Sequence, residues 1–121
     1  GGVEMSTRIA KRNGVVILKP NGKLIGNAVN ELSQTIYGEL PKSGDNPKLL
    51  IDFDNVSLMD SSGLGMLMGV HVDMLKRGGR VGVCHVGSNI KSLIVRSKLI
   101  GTFEHFNGEH QAVTGLTAQG T

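Results

Sequence analysis

The chain has 121 residues, 39% of them hydrophobic and 19% charged, with a formal net charge of +3. Those values fit one soluble globular domain with a modest core. No apolar stretch approaches the roughly 18 residues of a membrane span, so none is expected. With three Phe, one Tyr and no Trp, a stacking surface for single-stranded nucleic acid is not expected. Lys and Arg are scattered, and the pairs Lys11-Arg12 and Lys76-Arg77 form no basic patch, so nucleic acid is not an expected partner. One cysteine makes no internal disulfide, and "GGVEMSTR" lacks the apolar centre of a signal peptide; both fit a cytoplasmic location. Gly1 and Gly2 read as an expression remnant, residues 3–116 as a single domain and 117–121 as a flexible tail.

In chain order, "TRIAKRNGVVILKPNGKL" holds two β-type runs around Asn13-Gly14, a dipeptide suited to a two-residue hairpin turn in which both central residues take positive φ. Pro20-Asn21-Gly22 reads as a second turn. Val29, Leu32, Ile36 and Leu40 fall at helical spacing, with Asn27 as a candidate cap and Pro41 as the stop. "PKSGDNP" is a loop of turn formers, and "KLLIDF" reads as a strand covered on both faces. A helix is expected from Leu64 to Arg77, ended by Gly78-Gly79, followed by a strand at "RVGVCHV". Strand, helix and strand at this spacing predict a parallel βαβ unit with a right-handed crossover. Ser88 is a candidate cap for a helix carrying Ile90, Leu93, Ile94 and Leu99; "TFEHF" reads as a short strand and "EHQAVTGL" as a terminal helix. The expected fold is an α/β sandwich: a mixed sheet of four to five strands with an N-terminal hairpin, flanked by about four helices.

The run "SLMDSSGLGMLMG", Ser57 to Gly69, stands at the carboxyl end of the parallel strands, where sites collect in such sheets. Asp60 or Ser61 can cap the helix there. The helix mouth also offers unpaired amides and partial positive charge, a favourable setting for a phosphate carried by a serine. Gly63, Gly65 and Gly69 each sacrifice up to about 1 kcal/mol of helix propensity. At about 100° per residue, Gly65, Gly69 and Lys76 fall in a gap of the apolar arc, with Ser62 nearby. This bare strip either packs on a neighbouring helix or admits another backbone closely. The apolar arc, Met66 through Leu67 and Leu64 to Val72, is wider than one sheet face needs. Met66, Val70 and Met74, on its far side, either pack under the terminal helix or face a partner.

No GxxxxGK loop and no GxSxG elbow is present. His71, His85, His105 and His110 are not at metal-ligand spacing, and adjacent Cys84 and His85 would point to opposite faces of a strand, so neither metal nor cofactor is expected. Asp52 and Asp54 read as a strand-end pair whose side chains are solvated or cap. No general base stands near Ser61, so the chain is not expected to be an enzyme, and chemistry at Ser61 would need a second protein.

"LLIDFDNVSLMDSSGLGMLMG" resembles the signature of STAS domains, the sulphate-transporter and anti-sigma-factor-antagonist family. The likeness continues more weakly through "GGRVGVCHVGSNIKSLIVRSKLIGTF". The resemblance implies a stand-alone anti-sigma factor antagonist. Its unphosphorylated form binds an anti-sigma factor that is also a serine kinase, and so frees the sigma factor. The kinase phosphorylates the serine directly after the Asp, which is Ser61 here, with Ser62 as runner-up; a serine phosphatase reverses this. The partner surface implied comprises Asp60, Ser62, Gly63, Leu64, Gly65, Met66 and Gly69. The chain departs from the family pattern at Ile25, where an acidic residue is frequent, and at Lys98 before Leu99. Another expectation of the same fold is a constitutive scaffold subunit of a signalling or lipid-transport complex, with no phosphorylation. A nucleotide-binding enzyme is disfavoured by the missing phosphate loop.

Overall fold

Ser6–Arg12 (β1) and Val15–Leu24 (β2) make the hairpin that Asn13-Gly14 demands, with φ of 51° and 80° at the two turn residues. In this computed structural model, which describes residues 6–40 and 46–118, β2 then runs straight through Pro20-Asn21-Gly22 instead of turning there. The reason is a change of partner. Residues 15–18 of β2 pair with Lys48–Asp52 (β3), and Gly22 to Leu24 pair with Val56–Met59 (β4), across a register shift at Gly22/Lys23. Pro20 lacks an N–H and sits between the two ladders, where no bond is lost. β4 was not expected from the sequence: it has four residues and adjoins the Asp-Ser run.

Helix α1 spans Asn27–Glu39 and buries Val29, Leu32 and Ile36. Gly26 occupies its N-cap position without a side-chain bond, so Asn27 is a first-turn residue rather than the cap. The expected stop Pro41 and the loop through residue 45 lie outside the described residues. Helix α2 covers Ser61–Lys76, beginning three residues before the expected Leu64. Arg80–Cys84 (β5) pairs with β3 in parallel, completing the βαβ unit. Helix α3, Ser88–Arg96, is capped at Gly87 rather than by the Ser88 side chain and ends before Leu99. Glu104–Phe106 (β6) adds to β5 in parallel, and Glu109–Thr117 forms α4; of the expected tail, residues 119–121 lie outside the described ones.

Among the described residues the sheet has six strands in the order β1-β2-β3-β5-β6, with β4 on the second half of β2. Only β1 is antiparallel to its neighbour. The larger core joins one sheet face to α1, α2 and α3 through side chains such as Leu32, Ile51, Leu67, Val83 and Ile94. A smaller core lies on the other face, where Ala112, Val113 and Leu116 of α4 cover Val15, Ile17, Leu50 and Cys84. α2 and α4 therefore sit on opposite faces of one sheet. Val70 and Met74 are buried in the larger core and Met66 packs against it, so the expectation that these three lie under the terminal helix or face a partner is corrected. No helix among the described residues is long and apolar enough to cross a membrane.

Near the strand ends one expectation is met, by a capping Asp52 and a solvated Asp54, and one is corrected. Asp52 is fully buried and accepts the Asp54 amide at 2.9 Å, whereas Asp54 is exposed. Cys84 ends β5, and His85 takes a φ of 53°, so the backbone leaves the strand and the two side chains do not diverge.

Candidate functional site

The motif's helix begins where β4 ends, and Asp60 makes the junction. With extended backbone at the N-cap, its Oδ1 accepts the amides of Ser62 and Gly63, both at 3.1 Å, and the Ser62 hydroxyl at 2.6 Å. The hydroxyl of Ser62, then the Gly63 amide, hold the Asp60 carboxyl below the ordinary carboxylate value. Asp60 is thus the cap, and Ser61 is not. Two amides expected to be open to a phosphate are already committed to this carboxylate.

The two serines differ in consequence. Ser62 is exposed but tied to Asp60 through both amide and hydroxyl. Ser61 is exposed, and its hydroxyl makes no hydrogen bond among the described residues. A hydroxyl exposed to water costs little to leave without a protein partner, whereas freeing the Ser62 hydroxyl would give up one of the three bonds to Asp60.

The three glycines separate in the same way. A Cβ on Gly63 would lie 2.7 Å from Met59 Cγ and 3.0 Å from the Leu24 carbonyl oxygen, so this glycine lets the helix mouth close on β2 and β4. Gly65 and Gly69 are exposed, and a Cβ on either would meet nothing within 4 Å. The fold does not need them to be glycine, and no neighbouring helix of the described chain covers them.

Of the other residues expected on the surface, Gly63 and Leu64 face inward, and Met66 is half-buried against the core. The apolar surplus of α2 lies elsewhere. Val72 is 44% and Leu75 59% exposed, on the side of α2 that adjoins the glycine strip. The wheel had placed Val72 at the edge of the buried arc, but the sheet covers only the sector holding Leu64, Leu67, Val70 and Met74. The accessible face therefore runs from Ser61 through Gly65 and Gly69 to Val72 and Lys76, with Leu75 beside it.

Comparison with known proteins gives a consistent picture. An anti-sigma F factor antagonist from Paenibacillus polymyxa is 24% identical over 114 residues, covering 94% of this chain and 97% of the relative. The crystal structure of a putative anti-sigma factor antagonist from Thermotoga maritima superposes with a TM-score of 0.85 at 18% identity, covering 93% of this chain and 95% of that one. The Bacillus cell fate determinant SpoIIAA in its phosphorylated form superposes with a TM-score of 0.71 at 19% identity, covering 91% of this chain and 98% of the other. The STAS domain profile matches residues 6–112, and so, by pattern and by fold, the chain belongs to the STAS domain family.

Proposed function

We propose that this protein is an anti-sigma factor antagonist controlled by phosphorylation at Ser61. Its unphosphorylated form binds an anti-sigma factor that is also a serine kinase, which releases the sigma factor; a serine phosphatase restores the binding form. The chain itself supplies no catalysis. The observation that carries the reading is the contrast at the helix mouth: Ser61 offers a free exposed hydroxyl, while Ser62 is spent on the Asp60 cap. The relatives' names as anti-sigma factor antagonists support the partner class.

The physics of the switch is local. Docking uses the glycine strip, which allows a partner backbone to approach α2, with Val72 and Leu75 as apolar contacts. Phosphorylation adds close to two negative charges beside Asp60. The amides that would have offset them are occupied by the Asp60 carboxylate, so phosphate either displaces the cap or stays uncompensated. An unmatched dianion at a docked surface is costly, and no refolding is required.

The test is to incubate the protein with the cognate kinase and ATP and map the phosphate by peptide mass. Ser61 labelled, with the Ser61→Ala protein unlabelled, is the expected result. Labelling of Ser62, or undiminished labelling of Ser61→Ala, overturns the assignment. Tight binding of both wild type and Ser61→Glu to the partner would instead indicate a constitutive scaffold.

A further inference from the structure

We propose that Asp52, Cys84 and His85 bind one divalent cation of the zinc type on the sheet face opposite α2. The strand register brings the first two together, because Asp52 at the end of β3 pairs directly with Cys84 at the end of β5. His85 then turns back, so that its Nδ1 lies 2.9 Å from Asp52 Oδ1 and 3.8 Å from Cys84 Sγ. The three donor atoms all lie within 4.8 Å of one another. Glu109, the first residue of α4, faces Asp52 and pairs with Arg12.

A separate observation says that this cluster lacks something. Asp52 is 0% exposed, and its Oδ2 has no hydrogen-bond donor among the described residues. The large majority of buried side-chain polar atoms in folded proteins are paired. The groups around Asp52 do not supply the donor freely. The Glu109 carboxyl faces Asp52, but a carboxylate is an acceptor and brings no donor of its own. Arg12 pairs with Glu109 and Lys19 pairs with Asp54 at 3.8 Å, and neither serves Asp52 Oδ2. A cation at the centre would give that oxygen its partner.

The geometry suits a tetrahedral ion. With Zn–N and Zn–O near 2.0 Å and Zn–S near 2.3 Å, an imidazole nitrogen lies about 3.3 Å from a carboxylate oxygen and about 3.6 Å from a thiolate sulfur. The observed separations of 2.9 and 3.8 Å differ from these by a few tenths of an ångström. Thiolate, imidazole and carboxylate together favour Zn2+ or Co2+ over Mg2+ or Ca2+. Asp52 and the Cys84 thiolate neutralise a dication, and binding releases the thiol proton. His85 also lines an open cavity of about 250 Å³ with Lys91, His105 and Asn107, which gives an ion a route from solvent. The site would tie the ends of β3 and β5 together.

The inference does not depend on Ser61. Chelator-treated protein is titrated with Co2+ while absorption is recorded, and with Zn2+ by calorimetry. One ion per chain and a thiolate-to-cobalt charge-transfer band are expected, with a rise in melting temperature under Zn2+. Cys84→Ser removes the band, and His85→Gln weakens binding at least tenfold. His105→Gln and His110→Gln leave it unchanged. Should Cys84→Ser fail to fold, the wild-type cobalt spectrum decides alone. Absence of the band, or binding lost with the outlying histidines instead, overturns the site and leaves a shared Asp52–Glu109 proton as the answer to the orphaned oxygen.

Discussion

Two polar clusters stand at the carboxyl edge of the same sheet, one on each face. At the mouth of α2 the acceptor is satisfied: one oxygen of Asp60 takes three donors, and the unpaired group left over is the Ser61 hydroxyl, in water. Under α4 the reverse holds, since the unpaired atom is the Oδ2 of Asp52, sealed from solvent. An unpaired group costs little where water reaches it and much where water does not. The first cluster is therefore free to be modified from outside, and the second calls for a partner within. Proximity in the fold does not make them one site: sheet and cores intervene.

The strongest way to break this contrast is to charge the exposed side. Phosphorylated Ser61, or Ser61→Glu to a lesser degree, should weaken partner binding by about a hundredfold, roughly 3 kcal/mol, while circular dichroism and melting stay close to wild type. Equal affinity for both forms in a calorimetric titration would sink the switch. Asp60→Asn sharpens the point, because Asn caps as well as Asp but carries no charge. The loss on phosphorylation should be smaller in that background.

The glycines give the next largest effects, with opposite signs. Gly63→Ala should destabilise the fold by about 1–3 kcal/mol, because the new methyl presses on the Leu24 carbonyl as well as on Met59. Gly65→Ala and Gly69→Ala should each stabilise it by up to about 1 kcal/mol, through helix propensity in open space. Yet both should weaken docking, if a partner backbone uses the strip. Urea melts of the three variants beside binding measurements would separate the two roles. Unimpaired binding by Gly65→Ala together with Gly69→Ala would remove the strip from the interface.

The smallest effect is the pH dependence of the cap. The folded-state pKa of Asp60 is depressed below its ordinary 3.8, by Ser62 first and then Gly63. Its contribution is therefore present above that value and fades as pH falls through the folded-state pKa. Asp60→Asn should flatten the acid limb of the stability curve slightly; an unchanged limb would mean the cap carries no linkage.

What the sequence by itself determined is what depends on neighbours a few positions apart. Asn13-Gly14 favours the positive φ of a two-residue hairpin turn, the spacing of Val29, Leu32 and Ile36 makes one helix face, and the Asp-Ser-Ser-Gly run starts a helix. The βαβ order follows from the same local signals. Tertiary structure decided the rest. Pro20 to Gly22 reads as a turn until β4 is there to take over the second half of β2, and four residues of β4 carry too little pattern to announce themselves. Which part of the broad apolar arc of α2 is covered depends on how the sheet meets it, so Val72 and Leu75 are left in water and Val70 and Met74 are not. That Asp52 meets His85 is not legible, and Cys84-His85 looks divergent, because the meeting depends on β3 and β5 becoming neighbours and on one left-handed residue. A periodic pattern encodes the face a residue takes on its own element, but not what arrives from another element to lie against it.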